Sequence, residues 1–143
     1  MRTVFLDIET DDLDASLIYC VVTYEESVGF KEWIDNIGLE EYLQDALVVA
    51  HNGLSFDFPV LARLWDIHLT MSQMRDTLLL SMMESPAREG GHSLKAWGIR
   101  LGHEKAEFND FTAFTSEMLE YCKQDVTVCK HLYYFLENAM SQF

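Results

Sequence analysis

The chain of 143 residues carries a net charge of −14 and is 49% hydrophobic and 13% aromatic. That length fits a single domain, residues 1–143, able to bury about two-thirds of its unfolded surface, and the composition excludes global disorder. No apolar run reaches the roughly 18 residues of a membrane-spanning helix, so no membrane partner is expected. Strand-forming residues begin almost at Met1, and a signal peptide is not expected. Proteins that grip nucleic acid along its backbone are usually basic. The acidic balance therefore argues against a stand-alone nucleic-acid binder, unless divalent cations mediate contact with phosphates. Three cysteines, Cys20, Cys122 and Cys129, lack CxxC spacing. They read as free thiols in a reducing compartment, which points to a cytoplasmic protein.

In chain order, Met1 to Thr10 reads as a first strand rich in β-branched and aromatic residues. Asp11 to Asp14 is a polar loop. Leu17 to Tyr24 and Val28 to Trp33 form two strands around a Glu25-Glu26-Ser27 turn. Leu39 to Asp45 has a short amphipathic helical pattern, and Ala46 to His51 is a continuous apolar run, as in a strand covered on both faces. A loop from Asn52 to Asp57 leads into a helix from about Phe58 to Trp65, with Pro59 in its first turn. Met74 to Asp76 is a short last strand and Thr77 to Glu84 a helix. A further helix runs from about Ser93 to Leu101 and is ended by Gly102. The last helix spans about Ser116 to Ala139, after Thr115 as N-cap. This order predicts an α/β fold, a mixed sheet with helices on its faces.

Acidic residues in apolar elements mark the candidate site. Asp7 and Glu9 lie two apart on the first strand and so share a face. Adjacent carboxylates repel unless a cation lies between them, so the pair reads either as a hard-metal site or as a solvated strand end. Asp57 lies at a helix N-terminus that follows a buried strand, where a carboxylate is tolerated. Asp125 lies on the last helix, on the face that continues through Met118, Cys122, Val128, Cys129 and Leu132. A carboxylate on such a buried face needs a partner, and a metal shared with Asp7 and Glu9 would supply it. Tyr121 is one turn before Asp125 and projects from the same side. It reads either as a group that orients water or as a half-buried helix tyrosine. Cys122 and Cys129, seven residues apart, read as small hydrophobes on one helix face.

The segments FLDIET, HNGLSFDFPVL and YCKQDV resemble, in order and spacing, the three motifs of the DEDD superfamily of 3′–5′ exonucleases. The Yx₃D form of the third is similar to the tyrosine branch, found in proofreading domains of family A DNA polymerases. A closer likeness runs through GHSLKAWGIRLGHEKAEFNDF and EMLEYCKQDVTVCKHL, which resemble the proofreading domain of bacteriophage family A replicative polymerases.

The resemblance implies a ribonuclease H-like (DnaQ-like exonuclease) mixed five-stranded sheet flanked by helices. It implies two divalent metal ions, Mg²⁺ or Mn²⁺. Asp7, Glu9 and Asp125 would hold the tighter one, while Asp7 would also reach the second and Asp57 would act on it through water. Tyr121 would orient the nucleophilic water. Thr10 and Leu13 would contact the terminal 3′-hydroxyl and wedge against the last base. The implied substrate is the 3′ end of single-stranded DNA, with nucleoside 5′-monophosphates as products and proofreading or DNA degradation as the role. His51 and Asn52 could touch substrate, although Asn52 lies one residue farther from Asp57 than in the bacterial polymerase pattern and could equally stabilise its turn. Lys105 could meet a phosphate or be a solvated lysine. Asp76 is expected to support the site, and Trp65 and Trp97 to pack in the core.

The chain stops at Phe143, where the phage domain would continue into a polymerase. A DNA polymerase served in trans, in the host cytoplasm if the protein is phage-encoded, is therefore one expectation and a self-sufficient small exonuclease another. Short RNA as substrate and a polymerase- or replisome-binding accessory domain with secondary catalysis are the alternatives.

Overall fold

The computed structural model describes residues 1–104 and 107–141. Strand β1 (Arg2–Thr10) is followed by β2 (Ile18–Glu25), β3 (Gly29–Trp33) and the short helix α1 (Leu39–Leu43). Strand β4 (Ala46–Ala50) leads into α2 (Asp57–Trp65). Strand β5 (Met74–Asp76) runs directly into α3 (Thr77–Glu84), then come α4 (Leu94–Leu101) and the long α5 (Ser116–Met140). The sheet has the order β3-β2-β1-β4-β5. β1 is antiparallel to β2 and parallel to β4, so this is the mixed five-stranded sheet that was expected.

The period of two along β1 divides the core into two layers. Val4, Leu6 and Ile8 point to one face, where they pack with Leu39 and Leu43 of α1 and Phe58 and Leu61 of α2. Phe5 points to the other, against Cys122, Val126, Cys129 and Leu132 of α5 and Trp97 of α4. Each such side chain removed from water contributes about 1.5–3 kcal/mol. Asp7 and Glu9 continue the Phe5 row and so face α5. The β1–β2 register shifts between Glu9 and Thr10, Glu9 facing Cys20 and Thr10 facing Ile18. The extra residue, Tyr19, lies on β2, and such a bulge bends and twists the strand that carries it.

Element ends differ from expectation by one or two residues, for local reasons. Helix α1 stops at Leu43 because Gln44 is extended and Asp45 takes a left-handed φ of 60°. β4 stops at Ala50, since the chain turns over Asn52 at φ 62°. Helix α2 starts one residue early, which places Asp57 inside its first turn. Thr115 accepts the Met118 amide and Gly102 ends α4 at φ 75°, both as expected, whereas Ser93, expected as the first residue of its helix, is its N-cap and accepts the Ala96 amide. Trp97 is buried, as expected, with its indole N–H on Ser81 and the Arg88 and Arg100 guanidiniums over its ring. Trp65 is half-buried on the opposite layer. No helix among the described residues is long and apolar enough to cross a membrane.

Candidate metal centre

Three elements bring the predicted carboxylates together. β1 supplies Asp7 and Glu9, the first turn of α2 supplies Asp57, and α5 supplies Asp125. Glu9, Asp57 and Asp125 are buried, and Asp7 is half-buried. Their mutual influence is electrostatic. Burial pushes the Asp7 carboxyl well above the usual carboxylate range, and the charges of Asp125, Glu9 and Asp57 push it further. Asp57 is likewise raised well above that range, first by burial and then, against opposing backbone hydrogen bonds, by the charges of Asp76 and Glu9.

The turn that delivers Asp57 is built around Asn52 and Gly53. A Cβ on Gly53 would lie 2.8 Å from both Ala50 Cβ and Phe58 Cε2, so only glycine allows this approach of turn and helix. Asp76, at the end of β5, accepts backbone amides from Asn52 (2.8 Å) and Leu54 (3.2 Å) as well as Leu78 (2.9 Å) at the start of α3. It holds the turn in place, the supporting role expected of it. The left-handed φ of Asn52 and this amide contact fit the turn-stabilising reading of that residue. His51 Nδ1 lies 2.8 Å from the Thr77 hydroxyl, again tying the turn to α3.

Tyr121 is half-buried on α5, its ring 5.5 Å from that of Phe108 and 6.5 Å from that of Phe111. The Tyr19 hydroxyl donates to the Phe111 carbonyl at 2.8 Å, anchoring this irregular segment to β2. Thr10 is buried with its hydroxyl on the Asp12 carbonyl, whereas Leu13 is 88% exposed at the loop tip. A pocket of about 310 Å³ is lined by Glu9, Thr10, Leu13, Phe56 and Phe111. A second, of about 550 Å³, is lined by Tyr121, Phe108, Asn109 and Lys95. Lys105 lies outside the described residues.

One residue at the centre was read differently from sequence. Cys122 is buried with the apolar residues of α5, as expected, but its thiol also donates to Asp7, lying 3.4 Å from Oδ2 and 3.5 Å from the backbone carbonyl. Its position three residues before Asp125 was the available signal, since the two are neighbours on one helix face.

The donor set suits a hard divalent cation. Four carboxylates from three elements offer oxygen ligands, and ligand atoms of Asp7, Glu9 and Cys122 lie within 4.8 Å of one another. Among the described residues, Asp57 Oδ2 is buried with no hydrogen-bond donor. A cation would compensate both that oxygen and the mutual repulsion.

No protein-family model matches the chain. The DNA-directed DNA polymerase of Escherichia phage T7 is 29% identical over 187 aligned positions, covering 94% of this chain and 26% of the polymerase. The chain thus spans about a quarter of the length of the curated relatives it matches. Among solved structures, Brucella melitensis NrnC bound to pGG matches with a TM-score of 0.81 at 20% identity, over 98% of this chain and 74% of NrnC. NrnC with bound Mg²⁺ gives a TM-score of 0.78 at 21% identity, with the same coverage. These likenesses show the fold: a ribonuclease H-like, DnaQ-type mixed sheet flanked by helices. The expected phage-polymerase likeness is present in sequence, whereas the structural likeness runs to NrnC.

Proposed function

We propose that the chain is a metal-dependent 3′–5′ exonuclease that removes nucleoside 5′-monophosphates from short single-stranded oligonucleotides, with short RNA ahead of DNA. The observation that carries the reading is the convergence of Asp7, Glu9, Asp57 and Asp125, with the Tyr121 ring one helical turn from Asp125. Asp7, Glu9, Asp57 and Asp125 would hold two divalent ions, Mg²⁺ or Mn²⁺. Bound there, such ions supply activation of water and stabilisation of the leaving oxygen. The Tyr121 hydroxyl orients the water for attack on the last phosphorus. The P–O3′ bond breaks, the departing 3′ oxygen takes up a proton, and the water's proton passes to solvent. Leu13 and Phe111, which line the pocket beside Glu9 and Thr10, would flank the terminal base.

Two observations favour a short substrate over the expected single-stranded DNA strand. The structural likeness extends to NrnC bound to pGG. The net charge of −14 repels a polyanion in proportion to the phosphates that face it, so a short substrate suffers less. DNA remains the second reading, favoured by the sequence likeness to the phage T7 and T3 polymerases. A DNA polymerase partner in trans belongs to that reading.

A gel assay tests both. Purified wild type and Asp7→Ala are given 5′-labelled dinucleotide, short oligomer and long single strand, each as RNA and as DNA, with Mg²⁺, Mn²⁺ or EDTA. The expected result is metal-dependent stepwise shortening, fastest on short RNA and lost in Asp7→Ala. Preference for DNA selects the second reading. No shortening by wild type with either metal overturns the exonuclease reading.

A further inference from the structure

The carboxylates account for a site that takes hard ions, but Cys122 does not belong to that chemistry. Its buried thiol faces the Asp7 carboxylate at 3.4 Å. With Glu9, these residues present three ligand atoms within 4.8 Å of one another. In a tetrahedral zinc site, with Zn–O near 2.0–2.2 Å and Zn–S near 2.3 Å, adjacent ligand atoms lie about 3.3–3.7 Å apart. The Asp7–Cys122 separation already matches one edge of such a tetrahedron. The centre also contains a buried oxygen, Asp57 Oδ2, that has no hydrogen-bond donor among the described residues. That carboxylate is close enough to raise Asp7 through its charge.

We propose that Cys122 makes this centre a site for a thiophilic divalent ion, Zn²⁺, held by Asp7, Glu9 and the Cys122 thiolate. Ligation forms one S–Zn bond and sends the thiol proton to solvent, with no change of oxidation state. Without such an ion the Cys122 thiol donates to Asp7 Oδ2. Softness thus separates two classes of ion at one place: Mg²⁺ and Mn²⁺ take the oxygens, and Zn²⁺ recruits the sulfur. If the exonuclease reading holds, Zn²⁺ is also an inhibitor, since it occupies Asp7 and Glu9.

Cobalt(II) tests the coordination directly, because a thiolate ligand gives it a charge-transfer band in the near ultraviolet. The full chain is titrated with Co²⁺ as wild type, Cys122→Ser, Cys122→Ala, Cys20→Ser, Cys129→Ser and Asp7→Asn. The band is expected in wild type and in the Cys20 and Cys129 variants, and absent from both Cys122 variants and from Asp7→Asn. Zn²⁺ is expected to displace Co²⁺ from wild type, and to bind either Cys122 variant at least about tenfold more weakly. Near-ultraviolet circular dichroism establishes which Cys122 variant is folded and is therefore read. Absence of the band in wild type, or its survival in a folded Cys122 variant, overturns the proposal. A band without nuclease activity overturns only the exonuclease reading.

Discussion

The Asp76 carboxylate accepts the Asn52 backbone amide at 2.8 Å, fastening the turn after β4 to the end of β5. The same carboxylate accepts Leu54, Leu78 and Leu79 amides, so one buried side chain organises both the approach to Asp57 and the start of α3. Asp76→Ala leaves these amides without their acceptor. The expected cost is about 2–4 kcal/mol in denaturant unfolding. Asp76→Asn retains one acceptor oxygen and is expected to recover part of that loss.

The raised carboxyls of Asp7 and Asp57 make stability depend on pH. Between the unfolded value, about 4, and the raised native values, the folded chain holds more protons than the unfolded one. Stability of the metal-free protein therefore falls as pH rises through that window. Glu25 acts in the opposite sense: burial raises it, but hydrogen bonds from Arg2 and Tyr42 outweigh this and leave it lowered. Its contribution is lost only as pH falls through that lowered value. Comparing wild type with Asp57→Asn isolates the centre. The variant is expected to show a flatter fall in Tm as pH rises above the usual carboxylate range. Added Mg²⁺ is expected to raise the wild-type Tm most at the alkaline end.

Tyr121→Phe keeps the ring against Phe108 and Phe111 and removes only the hydroxyl. Stability is expected to change by less than about 1 kcal/mol. If the hydroxyl orients the attacking water, kcat on a short oligonucleotide falls about 10²-fold with KM little changed. An unchanged kcat would reduce Tyr121 to a packing residue.

Leu13 offers the complementary case, because it is 88% exposed and has almost no packing to lose. Leu13→Ala is expected to leave unfolding free energy within about 0.5 kcal/mol of wild type. KM for a short oligonucleotide rises about tenfold if the side chain wedges against the terminal base. An unaltered KM removes Leu13 from the substrate pocket.

Local pattern made most elements legible. β5 and α3 have the expected bounds, and α5 runs one residue past expectation. The reason is that period, cap and breaker act within a few residues: Thr115 and Ser93 cap their helices through the next turn, and Gly102 ends α4 through its own φ. Asp7, Glu9, Asp57 and Asp125 stood out in the same way, since carboxylates in otherwise apolar segments are anomalies that local pattern exposes.

What the sequence determined by itself was therefore which residues form each element and which face of it each side chain takes. Tertiary structure alone decided the strand order, the bulge at Tyr19 between β2 and the end of β1, and the meeting of Cys122 with Asp7 across 115 residues of chain. Cys122 read as a small hydrophobe because its helix face is apolar, and so it is. That face becomes part of a metal centre only when α5 crosses β1 at Asp7. The placement is set by the packing of Phe5, Val126 and Leu132 between sheet and helix, a long-range fit that no periodicity encodes.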